Sequence, residues 1–298
     1  MKPIDVAAWL EVGDDLDSCL AEKDRLNAAV PAEVFVEEPD TRGAQSELLE
    51  LLADYLPERF PDLYRLDGNA MRVGAGGRHI RFDNPSIPPL RSAADMIADD
   101  LVLMRRGETG WRLAAASLCF PSSWTLSEKF GRPLQEIHDP VPGFGPGTRT
   151  ADIINRIFDN LPPNLPAIRW NWSLQDDAGL YKPFSSIERD ERAVARPARF
   201  PAGAAGVFIR VERQTLRKLP GSGDIVFTIG IHLDPLAALG RHPDGAALAL
   251  SLAGQLDGLD AAQLAYKGLA ADRDRLSADL RALAAAQPNG SKPVSSLS

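Results

Sequence analysis

Apolar positions at helical spacing dominate the first 65 residues of the chain. One apolar stripe runs from Val6 to Leu26, and a second runs from Leu48 to Leu56. Recurrence every three or four residues is typical of amphipathic helices. The segment from Glu37 to Asp40, with its proline, indicates a loop between the two stripes. We therefore predict a helical region over residues 1–65.

Alternating patterns and turn signals predict strands in the next part of the chain. Turns at 67–68 and 74–77 flank short strands. Segments 101–106 and 111–120 are joined by Gly-Glu-Thr-Gly, which predicts a β-hairpin. Further strands are predicted over the segments 168–174, 206–219 and 224–233.

The remaining patterns predict helices and loops. Helices are expected over 93–100 with Ser92 as cap, 126–130, 151–161 and 259–286. Proline and glycine make 137–147 irregular, residues 179–206 look like a loop, and the tail 287–298 is expected to be disordered. Hairpins dominate and no βαβ alternation is present. The pattern therefore indicates an α+β fold with an antiparallel sheet.

Composition narrows the class of protein. The 298 residues are 44% hydrophobic and 25% charged, which excludes a wholly disordered, collagenous or coiled-coil chain. A net charge of −8 argues against sequence-independent nucleic-acid binding. Two cysteines, Cys19 and Cys119, are too few for a four-thiolate metal site. With no apolar span and no signal sequence, we expect no membrane segment and a cytoplasmic protein.

His138 is the most suggestive of the four histidines. It lies between a predicted helix and a loop held by Pro140 and Pro142. Such a loop can hold an imidazole in one direction, as an axial haem ligand requires. The alternative is a histidine that caps the helix C-terminus.

Charged residues alternate along the predicted strand that follows residue 206. Arg210, Glu212 and Gln214 share one face, whereas Arg213, Thr215 and Arg217 share the other. One set is expected to face a polar pocket or an anion such as a propionate. Cross-strand ion pairs on a solvated strand are the alternative.

Aromatic residues are the third candidate feature. Trp111, Trp124, Trp170 and Trp172 lie close together in the sequence, as walls for a flat cofactor or an alkylammonium would. Ordinary core packing is the alternative. Cys119 is a possible thiolate ligand or, as a plainer reading, a small buried hydrophobic residue.

Three long phrases together resemble one family. They are AASLCFPSSWTLSEKFGRPLQEIHDPVPGF, IRWNWSL and FIRVERQTLRKLPGSGDIVFTI, in that order. The chain resembles the alpha subunit of haem-dependent oxidative N-demethylases over roughly residues 5–240. The resemblance implies a PAS-like antiparallel sheet with N-terminal helical additions and a C-terminal helix. It also implies one haem b per chain.

The expected domains are a helical region over 1–65, a PAS-like haem-binding core over 66–240, and a C-terminal helix with its tail over 241–298. The implied reaction removes a methyl group from a small methylated amine such as dimethylamine. It consumes dioxygen and releases formaldehyde. Electrons come from NAD(P)H through partner subunits that carry flavin and an iron–sulfur cluster.

The resemblance also implies roles for particular residues. His138 is expected to be the proximal haem ligand, and Arg210, Arg213 and Arg217 are candidates for pairing with the propionates. The expected substrate-pocket residues are Glu212, Trp124, Asn171 and Trp172. Glu212 is the candidate carboxylate for a protonated amine.

Two alternatives stay open at this stage. One is a haem-based gas or redox sensor, because a PAS-like scaffold often serves sensing and a fold does not determine function. The other is a binding protein without haem. His232 is a possible second ligand or distal donor, although a histidine on a strand is more often a surface residue.

Overall fold

The structure is a computed structural model that describes residues 1–188, 191 and 198–287. In these ranges the chain forms strands and helices in alternating groups. The strands are β1 (Lys2–Pro3), β2 (Phe35–Glu37), β3 (Tyr64–Leu66), β4 (Ala70–Val73), β5 (Arg78–Arg81), β6 (Asp100–Gly107), β7 (Gly110–Ser117), β8 (Ala167–Gln175), β9 (Phe208–Lys218) and β10 (Ile225–Pro235). The helices are α1 (Leu16–Ala29), α2 (Pro31–Val34), α3 (Arg42–Arg59), α4 (Pro89–Ala94), α5 (Leu126–Lys129), α6 (Leu134–Ile137), α7 (Arg149–Asp159), α8 (Gly245–Asp257), α9 (Ala261–Lys267) and α10 (Arg273–Ala286).

The strands form two sheets. A seven-stranded sheet has the order β1-β8-β9-β10-β6-β7-β2, and a three-stranded sheet has the order β3-β4-β5. The hairpin of β6 and β7 is antiparallel, with a register shift between Leu103 and Met104. Strand β10 pairs antiparallel with β6, and β2 with β7. The predicted α+β class with a large antiparallel sheet is confirmed.

The chain divides into two compact units. The first consists of Met1–Asn171, Leu180–Ser186 and Glu212–His232. The second consists of Trp172–Gly179, Ile187–Val211 and Leu233–Ser298. Each unit therefore collects segments that are distant in sequence.

In the first unit, apolar residues cover both faces of β6. Leu101 and Leu103 belong to a core cluster that includes α3 and α4, whereas Val102 and Met104 belong to a second cluster that includes α6 and α7. Successive side chains of a strand point to opposite faces, so a strand buried on both sides needs an unbroken apolar run. The Leu-Val-Leu-Met sequence of β6 meets this requirement.

The second unit has its own hydrophobic core. Leu252 and Leu256 of α8 pack with Leu276 and Leu280 of α10. The carboxylate of Asp272, fully buried at the start of α10, accepts hydrogen bonds from the backbone N–H groups of Arg199 and Phe200. These bonds tie the start of α10 to the segment around residue 200.

The helix predicted over 93–100 is wrong. Helix α4 runs from Pro89 to Ala94, so Ser92 lies inside it, and Asp100 begins β6. Pro89 occupies the first helical position, where proline lacks only an N–H that would be unpaired in any case. Proline therefore sets the start of this helix three residues before the predicted cap.

The single helix predicted over 259–286 is divided. Gly268 ends α9 with φ +65°, a left-handed conformation that favours glycine, and α10 begins at Arg273. Helix α8 was not predicted. Residues 186–188, inside the predicted loop, are helical. Residues 189–190 and 192–197 of that loop, and 288–298 of the predicted disordered tail, lie outside the described residues.

No helix in the described ranges is long and apolar enough to cross a membrane.

A buried pair of charged residues lies where α4 leads into β6. The Lys23 ammonium, only 1% exposed, donates to the carbonyl oxygens of Ala94, Ile97 and Asp99 at 3.2, 2.9 and 2.7 Å. The Asp99 carboxyl is also buried. Burial raises the pKa of Asp99 to about 6, although Lys23 and Arg213 act in the opposite direction.

We expect Asp99 to make the stability of the protein depend on pH. The pKa of this carboxyl is higher in the folded chain than its ordinary value of 3.8, so stability falls as pH rises from about 4 through 6. Asp99→Asn should remove this dependence and increase the free energy of unfolding at pH 8 by ~3 kcal/mol. Urea unfolding at several pH values measures it.

The matched control is Asp62→Asn, which changes an exposed carboxyl. An Asp99→Asn protein whose unfolding free energy follows pH as the wild type does would contradict the assignment to Asp99.

Candidate functional site

His138 lies at the end of a single helical turn. Helix α6 starts after Pro133, and His138 is its C-terminal cap, with φ −93° and ψ −2°. The chain then turns at once, because the N–H of Val141 donates to the His138 carbonyl at 2.8 Å. Pro140 and Pro142 restrict the backbone of this turn. The backbone is therefore fixed both before and after His138.

The ring nitrogens of His138 have different roles. Nδ1 lies 2.9 Å from the Leu134 carbonyl oxygen, which also accepts the His138 backbone N–H at 3.1 Å. A carbonyl oxygen can only accept, so Nδ1 carries the proton and Nε2 keeps its lone pair. Burial is the main cause that lowers the pKa of His138 to about 4; the cations of Arg169 and Lys129 act in the same direction, and the bond to Leu134 acts against them. The ring is therefore neutral at pH 7, with Nε2 as its electron donor.

A narrow cavity with no room for a water molecule lies beside this imidazole. Leu134, Phe144, Ala151 and Ile154 are among the residues that line it. The Phe144 ring lies 6.2 Å from the His138 ring, centre to centre. The wall is largely apolar, which is consistent with the neutral form of the imidazole.

A polar network joins β8 to β9 in the same unit. Arg169 Nε donates to Gln214 Oε1 at 2.5 Å, and Gln214 Nε2 donates to Glu212 Oε2 at 2.9 Å. Asn171 Nδ2 reaches the same oxygen of Glu212 at 3.4 Å. Alternate residues of β8 and β9 thus contact each other on one face of the sheet. The structure brings the predicted residues Asn171 and Glu212 together.

Arg169 connects this network with His138. Its guanidinium is bonded to Gln214, and its charge is one of those that lower the pKa of His138. Sequence reasoning missed this residue. Its place two residues before Asn171, on the same side of a strand, is the signal that could have found it.

Arg213 and Arg217 lie on the opposite face of β9 from Gln214. Arg213 Nη1 donates to the Trp9 carbonyl at 2.9 Å, and its Nε lies 2.8 Å from a Glu11 carboxylate oxygen. The Arg217 guanidinium lies over the Trp9 ring at 4.4 Å. The structure therefore does not bring these two arginines to His138. Their role as propionate partners stays a prediction.

The remaining predicted residues are in different places. Trp124 is partly buried in the cluster that includes Leu134 of α6. Trp172 is in the second unit, where its Nε1 donates to Gln255 Oε1 at 2.8 Å and its ring lies 4.7 Å from Lys267 Nζ. Arg210 is completely buried and also belongs to the second unit.

Other candidate groups do not form a second centre. Burial raises the pKa of Cys119 to about 12, which keeps it a thiol and agrees with its interpretation as a small buried residue. His232 is half exposed, 3.7 Å from Glu11. An open pocket between α3 and the turn after β9 is lined by groups that pair with each other, such as Glu47 with Gly221. Among the described residues, no three His, Cys, Asp or Glu side chains are grouped to hold a metal ion.

The sequence matches a known protein family over most of its length. A family model described as "Haem-dependent oxidative N-demethylase, alpha subunit-like" matches residues 1–277. The chain belongs to this family. The resemblance stated from the sequence is confirmed.

The haem-dependent oxidative N-demethylase family name indicates haem dependence, and His138 has the donor chemistry that a haem iron requires. A neutral imidazole with a protonated Nδ1 that donates to a carbonyl oxygen is the usual state of a histidine metal ligand. In this chain, the imidazole of His138 has this arrangement, with the Leu134 carbonyl oxygen 2.9 Å from Nδ1.

The tautomer of His138 can be tested directly. We expect ¹⁵N NMR of the imidazole to show a proton on Nδ1 and no change in charge from pH 8 down to pH 5.5, because burial lowers the pKa of His138 to about 4. His138→Gln identifies the signal by its loss. A ring that gains a second proton in this pH interval, or that carries its proton on Nε2, would contradict the geometry.

Proposed function

We propose that this chain is the haem-binding subunit of an oxidative N-demethylase that acts on a small methylated amine, with the large sheet as a PAS-like scaffold. The observation that carries the proposal is the imidazole of His138. Its donor nitrogen is Nε2, and its other nitrogen is held by the Leu134 carbonyl. The family match over residues 1–277 supports the same function.

His138 is the residue that would hold one haem b, through Nε2. When bound, the haem would supply the activation of dioxygen. The protein's contribution is to hold the imidazole neutral and in one direction. The Leu134 carbonyl acts on Nδ1, and hydrogen bonds of this kind make the ligand nitrogen more basic.

Glu212 and Asn171 would bind the amine. A protonated alkylamine needs a negative partner, and Glu212 supplies a carboxylate in the network that Arg169 connects with His138. Asn171 supplies an amide next to the same carboxylate. Trp124 remains a candidate for the apolar part of the pocket.

The proposed reaction balances with an external electron donor. The methylated amine, dioxygen, NAD(P)H and a proton give the demethylated amine, formaldehyde, NAD(P)⁺ and water. The two cysteines of the chain are fewer than the four that hold a [2Fe–2S] or [4Fe–4S] cluster through cysteine alone, and partner subunits with flavin and an iron–sulfur cluster would deliver the electrons. The alpha-subunit name of the family is consistent with a multi-subunit enzyme.

The segment that follows His138 would have to adjust to a large ligand. The cavity beside the imidazole has no room even for a water molecule, whereas an ordinary ligand pocket holds several hundred cubic ångströms (about 300 Å³ or more). Phe144, which lines this cavity, lies in the segment 137–147, where proline and glycine form successive turns. We therefore expect this turn segment, and not the sheet, to accommodate a cofactor.

His138→Ala should abolish stable haem binding, because it removes the donor nitrogen. We expect the purified wild type to show a Soret band that shifts on reduction and again with carbon monoxide. The variant should lose at least about nine-tenths of this band, as expected when the axial ligand is removed. Absorption spectra at matched protein concentration measure this.

The matched control is His79→Ala, which removes an exposed histidine on β5. Full haem content in His138→Ala would overturn the ligand assignment. A wild type without a Soret band after haem titration would overturn the proposed function itself.

Glu212→Gln should weaken amine binding while haem content is retained, because it removes the negative charge. In a titration of the Soret band with dimethylamine at pH 7, we expect the dissociation constant to rise about tenfold or more. Unchanged affinity in this variant would remove Glu212 from the amine site. Reversible dioxygen binding without amine-dependent consumption of NAD(P)H, when a reductase is supplied, would favour a sensor.

A further inference from the structure

Gln214 is buried between two charged side chains of opposite sign, and nothing in the proposed function assigns it a role. We infer that Gln214 is a positioning residue that holds the Glu212 carboxylate for a cationic amine and couples it to Arg169. This inference rests on the proposed function. By holding this carboxylate, Gln214 would make the site prefer an ammonium ion over a neutral ligand.

The chemistry of its neighbours allows only one orientation of the Gln214 amide. Arg169 can only donate, so it requires the oxygen, Oε1, at 2.5 Å. The Glu212 carboxylate can only accept, so it requires the nitrogen, Nε2, at 2.9 Å. A reversed amide would place donor against donor and acceptor against acceptor. The side chain is therefore locked by both of its neighbours.

Burial makes this arrangement stiff. Gln214 is only 5% exposed, and it lies in the middle of β9, where the backbone is held by the sheet. Hydrogen bonds to charged groups are shorter and stronger than those between neutral groups, and both bonds of Gln214 are of this kind. Glu212, which is only partly buried, thus has one oxygen fixed by a buried partner.

The two bonds also orient the dipole of the Gln214 amide between a cation and a carboxylate. The Gln214 amide has its oxygen towards the Arg169 cation and its N–H towards the Glu212 carboxylate. Its dipole is therefore attracted by both charged groups. The bond from Gln214 Nε2 thereby fixes one oxygen of the Glu212 carboxylate, the group that would attract an ammonium ion. Asn171, at 3.4 Å, adds a longer contact to the same oxygen.

Gln214→Met is the sharpest test. Methionine keeps the length of the side chain but can neither donate to Glu212 nor accept from Arg169 in the same way. In the haem-loaded full chain, we expect the dissociation constant for dimethylammonium to rise about tenfold. The dissociation constant for imidazole, a mostly neutral ligand at pH 8 that binds iron directly, should change less than about twofold. A merely structural role would not separate the two ligands.

The matched control is Thr215→Val. Thr215 is the next residue of β9, is buried, and faces the other side of the sheet, where its hydroxyl lies 2.8 Å from that of Thr228. This variant removes one buried hydrogen bond from the same strand. We expect both dissociation constants to stay within about twofold of the wild type, since its side chain faces away from Glu212.

Equal losses for both ligands in Gln214→Met, or no loss for either, would overturn the inference while leaving the proposed function intact. A measurement without haem covers a variant that fails to fold. In the wild-type chain, the side-chain amide protons of Gln214 should exchange slowly in NMR and shift in Glu212→Gln. Exchange at the solvent rate would also overturn the inference, whatever the outcome for haem.

Discussion

Strand β9 carries charged residues on both faces of a largely buried sheet. Buried charges are stable only with partners, so each face needs its own set. On one face, Arg213 donates to backbone carbonyls of the N-terminal segment. On the other, Gln214 and Glu212 form a network with Arg169. The N-terminal segment is thereby bound to the sheet, and the opposite face is left with a polar site.

The site combines groups of three different charge states. His138 is neutral, because burial lowers its pKa, Arg169 is positive, and Glu212 supplies the negative group. A neutral imidazole suits a metal, and a carboxylate suits an ammonium ion. Gln214 joins the cation to the carboxylate and so keeps the two from acting independently. A neutral imidazole and a carboxylate are groups that a family named for haem dependence and N-demethylation can use.

Local structure fixes the tautomer and the direction of the His138 imidazole before any cofactor is present. The carbonyl of Leu134 accepts both the backbone and the ring N–H of His138, so the same helical turn that positions the backbone also selects the tautomer. A one-turn helix between prolines has few alternative conformations. The sequence pattern had left open a histidine that only caps the helix. The observed bond to Leu134 adds a fixed ring orientation to that position.

The β6–β7 hairpin and the alternation that separates Gln214 from Arg213 could be predicted from the sequence, because each follows from residue spacing within one segment. The α+β class followed from the order of such segments along the chain, and the family from three long phrases in a fixed order. The sequence pattern misplaced α4 and joined α9 and α10 into one helix, since Pro89 and Gly268 act through a few backbone angles that periodicity does not record. Only the tertiary structure decided that Arg169, and not Arg213 or Arg217, acts on His138. It also decided that Trp172 belongs to a different unit from Asn171. The physical reason is that strand pairing and the packing of distant segments choose the neighbours of a side chain, whereas the spacing within a strand chooses only its face.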